Sequence, residues 1–169
     1  MSVSPAQQRT LAIDPMCRGF AYVVFEGSER LLDWGTTDFR HDNTTKRFLA
    51  RVAKVIDICD PSLVVVEVTT NSRRGTRARE WIRRLVAFVR RRGITVQQVT
   101  RADVQESFRA SGTGKWEIAT AVARLLPDLE TRLPHKRKPW TTEDERMNIF
   151  DAASFALVAL REREQVARE

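Results

Sequence analysis

A chain of 169 residues with 42% hydrophobic and 30% charged content is long enough to bury a core and too apolar to stay disordered. No apolar run approaches the roughly 20 residues that cross a bilayer. The opening segment also lacks the charged and apolar regions of a signal peptide, so no membrane partner is expected. Cys17 and Cys59 offer neither a disulfide framework nor zinc-site spacing, which makes a reducing, cytoplasmic setting the expectation. The net charge of +7 is unevenly spread. Between Arg73 and Arg92 stand nine arginines and one acid, Glu80, a local balance of +8 that leaves −1 for the remainder. One concentrated basic element on a neutral body is the footprint of a nucleic-acid binder, and guanidinium groups suit phosphate geometry. A solvated helix face is the alternative, but interspersed acids would serve it better, since neighbouring like charges repel.

Leu11-Ala12-Ile13 reads as a first strand running into Asp14-Pro15, where proline discourages a helix. Phe20 to Phe25 is aromatic and β-branched, a second strand. After the turn Glu26-Gly27-Ser28-Glu29, Leu31-Leu32-Asp33-Trp34-Gly35 begins a third, and short connections imply an antiparallel meander. Phe48, Val52, Val55 and Ile56 recur at helical spacing, predicting a helix from Thr45 to Cys59 that Asp60-Pro61 stops. Leu63-Val64-Val65-Val66 is a strand buried on both faces. The arginine-rich stretch is a second helix, with Trp81, Leu85 and Phe88 along one side and Ile82, Val86 and Val89 beside them. Gly93 ends it, and Ile94 to Val99 is a fifth strand.

Thr100 caps a short helix holding Val104 and Phe108. A tight loop, Ser111-Gly112-Thr113-Gly114, leads into a helix through Ile118, Val122 and Leu125-Leu126. From Pro127 to Thr142 the chain is irregular and carries His135-Lys136-Arg137-Lys138. Thr141 or Thr142 then caps a last helix that begins at Glu143-Asp144-Glu145 and ends in a charged, frayed tail after Leu160. The order β-β-β-α-β-α-β-α-α-α implies an α/β mixed five-stranded sheet, three antiparallel strands followed by two parallel ones, with helices on both faces. With neither repeat nor linker, residues 1–169 read as a single domain.

Three acids sit at the edges of hydrophobic elements. Asp14 ends the first strand, Glu67 ends the central strand, and Asp151 lies in the last helix between Phe150 and Ala152-Ala153. Burying an unpaired carboxylate is expensive. If the first and fourth strands are parallel neighbours, Asp14 and Glu67 meet at one sheet edge, and the Asp151 helix can pack across it. Clustered carboxylates repel unless a cation neutralises them, and hard oxygen ligands suit Mg²⁺ or Mn²⁺. Singly, the acids have plainer readings. Asp14 could form a turn, Glu67 could pair with Arg73, and Asp151 could lie on a solvated stripe.

These residues together resemble the RuvC family of Holliday junction resolvases, nucleases of the RNase H-like fold. Leu11 to Pro15 followed by Gly19-Phe20-Ala21 is similar to the family's opening strand, acid and hairpin, and Leu63 to Glu67 to its second acidic strand. Ser111 to Lys115 with Trp116-Glu117-Ile118 resembles its glycine loop, basic residue and helix, and Asp151-Ala152-Ala153 its final acidic helix. The match runs in order along most of the chain. It departs at Met16-Cys17, where the family has glycine after Asp-Pro, and at the fourth acidic position, for which Asn148, Ser154 and Asp144 are the candidates.

The resemblance implies an Mg²⁺- or Mn²⁺-dependent endonuclease holding two ions, which cuts branched DNA symmetrically as a homodimer. No small-molecule cofactor is expected. Asp14 would bridge the ions, Glu67 and Asp151 would each complete one site, and Asp144 or Asn148 would serve as a further ligand. Lys115 would stabilise the charge developing at the scissile phosphate. Arg73, Arg74 and Arg77 would contact DNA backbone near the site, and Lys136, Arg137 and Lys138 an outer arm. Trp140 or Phe108 could stack on a base, with core packing the plainer expectation. The helix of Trp81, Leu85 and Phe88 is a candidate dimer face, with packing against the sheet as its alternative. Rival functions are another RNase H-like nuclease acting on flap, duplex or RNA–DNA hybrid, and a nucleic-acid-binding module whose catalytic site has decayed. A sugar-kinase or actin-like ATPase needs a second phosphate-binding half for which 169 residues leave no room.

Overall fold

The computed structural model describes residues 8–39, 44–68 and 75–169. Three strands, β1 (Arg9–Met16), β2 (Gly19–Glu26) and β3 (Arg30–Asp38), form the antiparallel meander. They are followed by α1 (Thr45–Cys59), β4 (Leu63–Glu67), α2 (Thr76–Arg91) and β5 (Thr95–Val99). The chain closes with α3 (Arg101–Ser107), α4 (Lys115–Leu125) and α5 (Met147–Arg168), with 3₁₀ turns at Arg109–Ser111 and Pro127–Arg132. The sheet order is β3-β2-β1-β4-β5, and β4 and β5 run parallel to β1, which is the mixed sheet expected. Among the described residues no helix is long and apolar enough to cross a membrane.

Strand alternation builds two cores. Ala12, Ala21, Val23, Leu63 and Val65 face α3, α4 and α5. Leu11, Ile13, Val24, Val64 and Val66 face α1 and α2, so β4 is buried on both sides. Under α1 the Phe48 ring stacks on Trp81, centroids 4.6 Å apart at 11°, and meets Phe20 edge-on at 5.7 Å. Trp81 and Leu85 are therefore part of this core, the packing against the sheet given as the alternative to a dimer face, and Phe88 lies partly buried beside them.

Helix α1 has the predicted bounds. Thr44 accepts a hydrogen bond from the Arg47 amide at its start, and Asp60 closes it in the left-handed region at φ 46°. The bounds of β1 and α5 differ from expectation. β1 does not end at Asp14 but continues through Pro15 to Met16, paired there with β2 alone. The missing proline N–H is tolerated because the β4 pairing has already stopped at Ala12. α5 starts at Met147, not at Glu143, because the Asp144 carboxylate accepts from the Arg146 amide at 2.9 Å and from its guanidinium at 2.6 Å, holding a turn ahead of the helix. Beyond Leu160 the helix does not fray but runs on to Arg168, where Glu162 accepts from Gln97 of β5 and Arg161 donates to Ser107 of α3.

Two groups on the α1 face set the alkaline limit of stability. Burial pushes the Cys59 thiol from 9.0 up to about 11. Burial, then the neighbouring Asp33, pushes the Tyr22 phenol from 10.0 up to about 12. The unfolded chain loses these protons first, so stability is level below about pH 9 and falls as the pH climbs from there towards 12. Urea midpoints measured across this range are expected to show that fall, and Tyr22→Phe to flatten its upper part.

Candidate active site

The parallel pairing of β1 with β4 aligns Thr10 with Leu63, Leu11 with Val64 and Ala12 with Val65. Two residues beyond Ala12 stands Asp14, and two beyond Val65 stands Glu67. An even step keeps each acid on the face of its predecessor, which is the face covered by α5. α5 lies against β1, β2 and β4 and also touches α3 and α4. Every residue from Ile149 to Leu160 is accordingly buried, and Asp151 has no solvated stripe to occupy. Asp14 is 0% exposed, Glu67 6% and Asp151 5%.

Three buried carboxylates need positive charge close by. Its main source is Arg101, which the sequence reading missed. Val99 of β5 is paired with Glu67, and Arg101 opens α3 two residues later, fixed by reciprocal hydrogen bonds between Thr100 and Asp103. Its Nη1 lies 3.0 Å from Asp151 Oδ1, and its guanidinium sits 5.2 Å from the centroid of the Phe155 ring. Burial works against the charged form of Arg101, but the charges of Asp151, Glu67 and Asp14 outweigh it and raise its pKa. The guanidinium thus bonds Asp151 and feels the charge of the other two acids. The available signal was its place at the carboxyl end of a strand neighbouring that of Glu67, where open α/β sheets gather their functional groups.

Lys115, singled out in the sequence, reaches the same centre. Its Nζ lies 3.0 Å from Asp151 Oδ2 and 2.5 Å from Glu143 Oε1. Here too burial opposes the charge, and Asp151 with Glu143 overcomes it and raises the pKa. The loop before Lys115 turns through Gly112 at φ 113°, a conformation rare for side-chain-bearing residues, and a Cβ there would come within 2.9 Å of Glu117 Cβ. Gly19 plays the matching part in the hairpin that carries Asp14. A Cβ on it would fall 1.6 Å from the Thr37 carbonyl oxygen of β3.

The other candidate residues lie elsewhere. Asp144 is held by Arg146, and Asn148 donates to the Glu145 carbonyl and lines a cavity beside Pro15 and Met16. The Ser154 hydroxyl donates to the carbonyl of Asp151. Arg77 is exposed in the first turn of α2, whereas Arg73 and Arg74 lie outside the described residues. Part of the basic stretch is neutralised locally, since Arg83 and Arg84 pair with Glu80 and Arg92 pairs with Asp57. Lys136, Arg137 and Lys138 are exposed and line a cleft with Lys115. Phe108 belongs to the core, but Trp140 does not and stands in solvent.

Among the described residues no three His, Cys, Asp or Glu side chains are grouped closely enough to enclose a metal ion as they stand. Both Asp151 oxygens are on cations. The donor set is all carboxylate oxygen, a chemistry that suits a hard divalent ion. Asp151 can join only by exchanging Arg101 or Lys115.

No family model and no curated protein matches the chain, but solved structures do. RuvC from Thermus thermophilus, solved in complex with a Holliday junction substrate, superposes with a TM-score of 0.67 at 21% identity, covering 94% of this chain and 96% of that one. The fold is that of RuvC. The yeast mitochondrial Holliday junction resolvase Ydc2 shares it at a TM-score of 0.59 and 12% identity, over 96% of this chain and 81% of that chain. The fowlpox virus Holliday junction resolvase shares it at 0.54 and 12%, over 92% and 99%. This RuvC-type, RNase H-like sheet is what places the strand ends of Asp14 and Glu67 beneath α5.

Replacing Arg101 by Met leaves the buried acids short of charge. We expect a loss of about 2 kcal/mol in denaturant titrations, a buried-pair value reduced for the partial exposure of the arginine. In an Asp151→Asn background the loss should fall to about half, the coupling that marks a direct pair.

Proposed function

We propose that the protein is a divalent-metal-dependent endonuclease that cuts branched DNA, four-way junctions above all. The observation that carries this reading is the burial of Asp14 and Glu67 on the sheet face beneath α5, with Asp151 buried on α5 itself and bonded by Arg101 and Lys115. A purely structural role gives no reason to bury three acids at the ends of two strands and inside a helix. The fold shared with resolvases from a bacterium, a yeast mitochondrion and a poxvirus supports the choice of substrate.

In this reading Asp14, Glu67 and Asp151 would hold Mg²⁺ or Mn²⁺, with two ions the expected number. When bound, such ions supply an activated water and neutralise charge at the leaving oxygen. The chain itself does the positioning. Arg101 keeps the acids compatible with burial before substrate arrives and, when displaced from Asp151, offers its guanidinium to a phosphate. Lys115 holds its ammonium at the same carboxylate, where it can meet the charge that develops on the phosphoryl oxygens. Arg77 and the basic residues of α2 grip flanking backbone. Two copies acting as a homodimer would cut the two opposed strands of a four-way junction, since a two-fold axis matches that substrate.

A second reading is a binding module, favoured by the engagement of both Asp151 oxygens with Arg101 and Lys115. Cleavage separates the two. The proposed nuclease nicks a synthetic four-way junction symmetrically in Mg²⁺ or Mn²⁺. Asp14→Asn lowers the rate by about a thousand-fold, equivalent to the several kcal/mol that metal-held charge contributes, with junction affinity retained. Lys115→Ala lowers kcat by about a hundred-fold. Junction binding without cutting by the unaltered protein, in either metal, would leave only the module. Cutting confined to RNA–DNA hybrid or flap would keep the chemistry and change the substrate.

A further inference from the structure

A cleft of about 640 Å³ lies between the start of α4 and the segment 134–147, immediately beside Lys115. Two indoles, Trp116 and Trp140, line it together with five cations, of which Lys136, Arg137 and Lys138 belong to the segment 134–138. Trp116 is anchored. Its Nε1 donates to the Pro134 carbonyl at 3.2 Å, and Lys136 Nζ sits 5.4 Å from its ring centroid. Trp140 is 80% exposed, and its one cation neighbour among the described residues is Lys138, with Nζ 5.8 Å from the ring. A large aromatic ring left in water forgoes the burial that usually holds it in place.

The charges around the cleft do not cancel. Its acids are engaged at its own edges, Glu143 by Lys115 and Asp144 by Arg146, and Lys136 also reaches Glu117 at 3.3 Å. Arg137 and Lys138 face solvent on the same segment as the open indole. Cations that track a backbone, set beside an exposed aromatic face, are the combination that receives single-stranded nucleic acid. A paired duplex cannot use the indole, because its base faces are already stacked on one another. Lys115 belongs both to this cleft and to the Asp151 pair, so a strand seated here leads its next phosphate towards the acids.

We propose that this cleft binds an unpaired nucleotide of branched DNA, its base stacked on Trp140 and its backbone held by Lys136, Arg137 and Lys138. This deepens the nuclease reading and rests on it for the source of the unpaired strand. Lys136, Arg137 and Lys138 then serve the strand next to the reacting phosphate, not an outer arm of the junction.

The test is fluorescence anisotropy in the presence of a chelator, with labelled oligothymidylate, matched duplex and four-way junction as probes. Trp140→Ala is expected to weaken oligothymidylate and junction binding by about ten-fold while leaving duplex affinity in place, and Trp140→Phe to restore most of it. Replacing Lys136, Arg137 and Lys138 together by Gln should lower the salt slope of oligothymidylate binding by about two. Unchanged oligothymidylate affinity in Trp140→Ala, or an equal loss on duplex, overturns the proposal. The two readings fail separately. A protein that cuts no DNA yet loses oligothymidylate on Trp140→Ala keeps the cleft and discards the nuclease. One that cuts junctions equally well with and without Trp140, and binds oligothymidylate equally well, keeps the nuclease and discards the cleft.

Discussion

Water does not reach Asp14 and scarcely reaches Glu67 and Asp151, and an uncompensated carboxylate in such a place costs several kcal/mol after relaxation. The fold therefore has to deliver positive charge to the end of β1 and β4 on the α5 side. It does so from two directions. β5 ends against Glu67 and hands the chain to α3, whose first residue is Arg101. The glycine loop ahead of α4 turns so that Lys115, its first residue, meets Asp151. Both cations lie at helix starts, where the backbone itself adds partial positive charge. The charge of Asp151 is consequently met by side chains that long-range packing holds in place, and a ligand that takes its oxygens must exchange with them.

That balance bears on what the site can accept. In the proposed nuclease a divalent ion would bring more positive charge than Arg101 supplies and would take the same oxygens, so ion and guanidinium would compete for Asp151 and cooperate on a phosphate. The apolar surroundings strengthen both effects, since Phe150, Ala153 and Phe155 exclude solvent around the carboxylate. Basic residues farther out act differently. On α2, Arg83 and Arg84 share Glu80, so the exposed field there is weaker than a count of arginines implies. The segment 134–138 sets its cations beside Trp116 and Trp140 in a cleft shared with Lys115, which would make it the more selective surface for an unpaired strand.

The elements that sequence reasoning located well are those with strong local periodicity and an explicit stop. α1 is one, with Phe48, Val52 and Ile56 on a single stripe and Asp60-Pro61 at its end. β4 is another, because a short run of β-branched apolar residues just after Asp60-Pro61 fits a strand covered on both faces. The start of α5 was misplaced because Thr141, Thr142 and the acids after them carry a helix-opening signal that the Asp144–Arg146 pair overrides. Its end was misplaced because Gln97 and Ser107, which bind Glu162 and Arg161, come from distant segments. Core packing, the plainer of the two expectations for Trp140, does not hold, because the irregular segment around it carries the ring into solvent.

By itself the sequence determined the order of elements, the mixed sheet and the identity of Asp14, Glu67 and Asp151 as acids in apolar company. Hydrophobic period and turn chemistry are local properties, and an ionisable residue inside an apolar run is visible wherever it occurs. Only the tertiary structure decided the register that carries Asp14 and Glu67 to the same end of β1 and β4, the pairing of Arg101 with Asp151, and the cleft that joins Trp140 to Lys115. Arg101 and Asp151 stand 50 residues apart. An electrostatic pair of that kind has no signature in either neighbourhood, because the charge it neutralises is brought to it by packing.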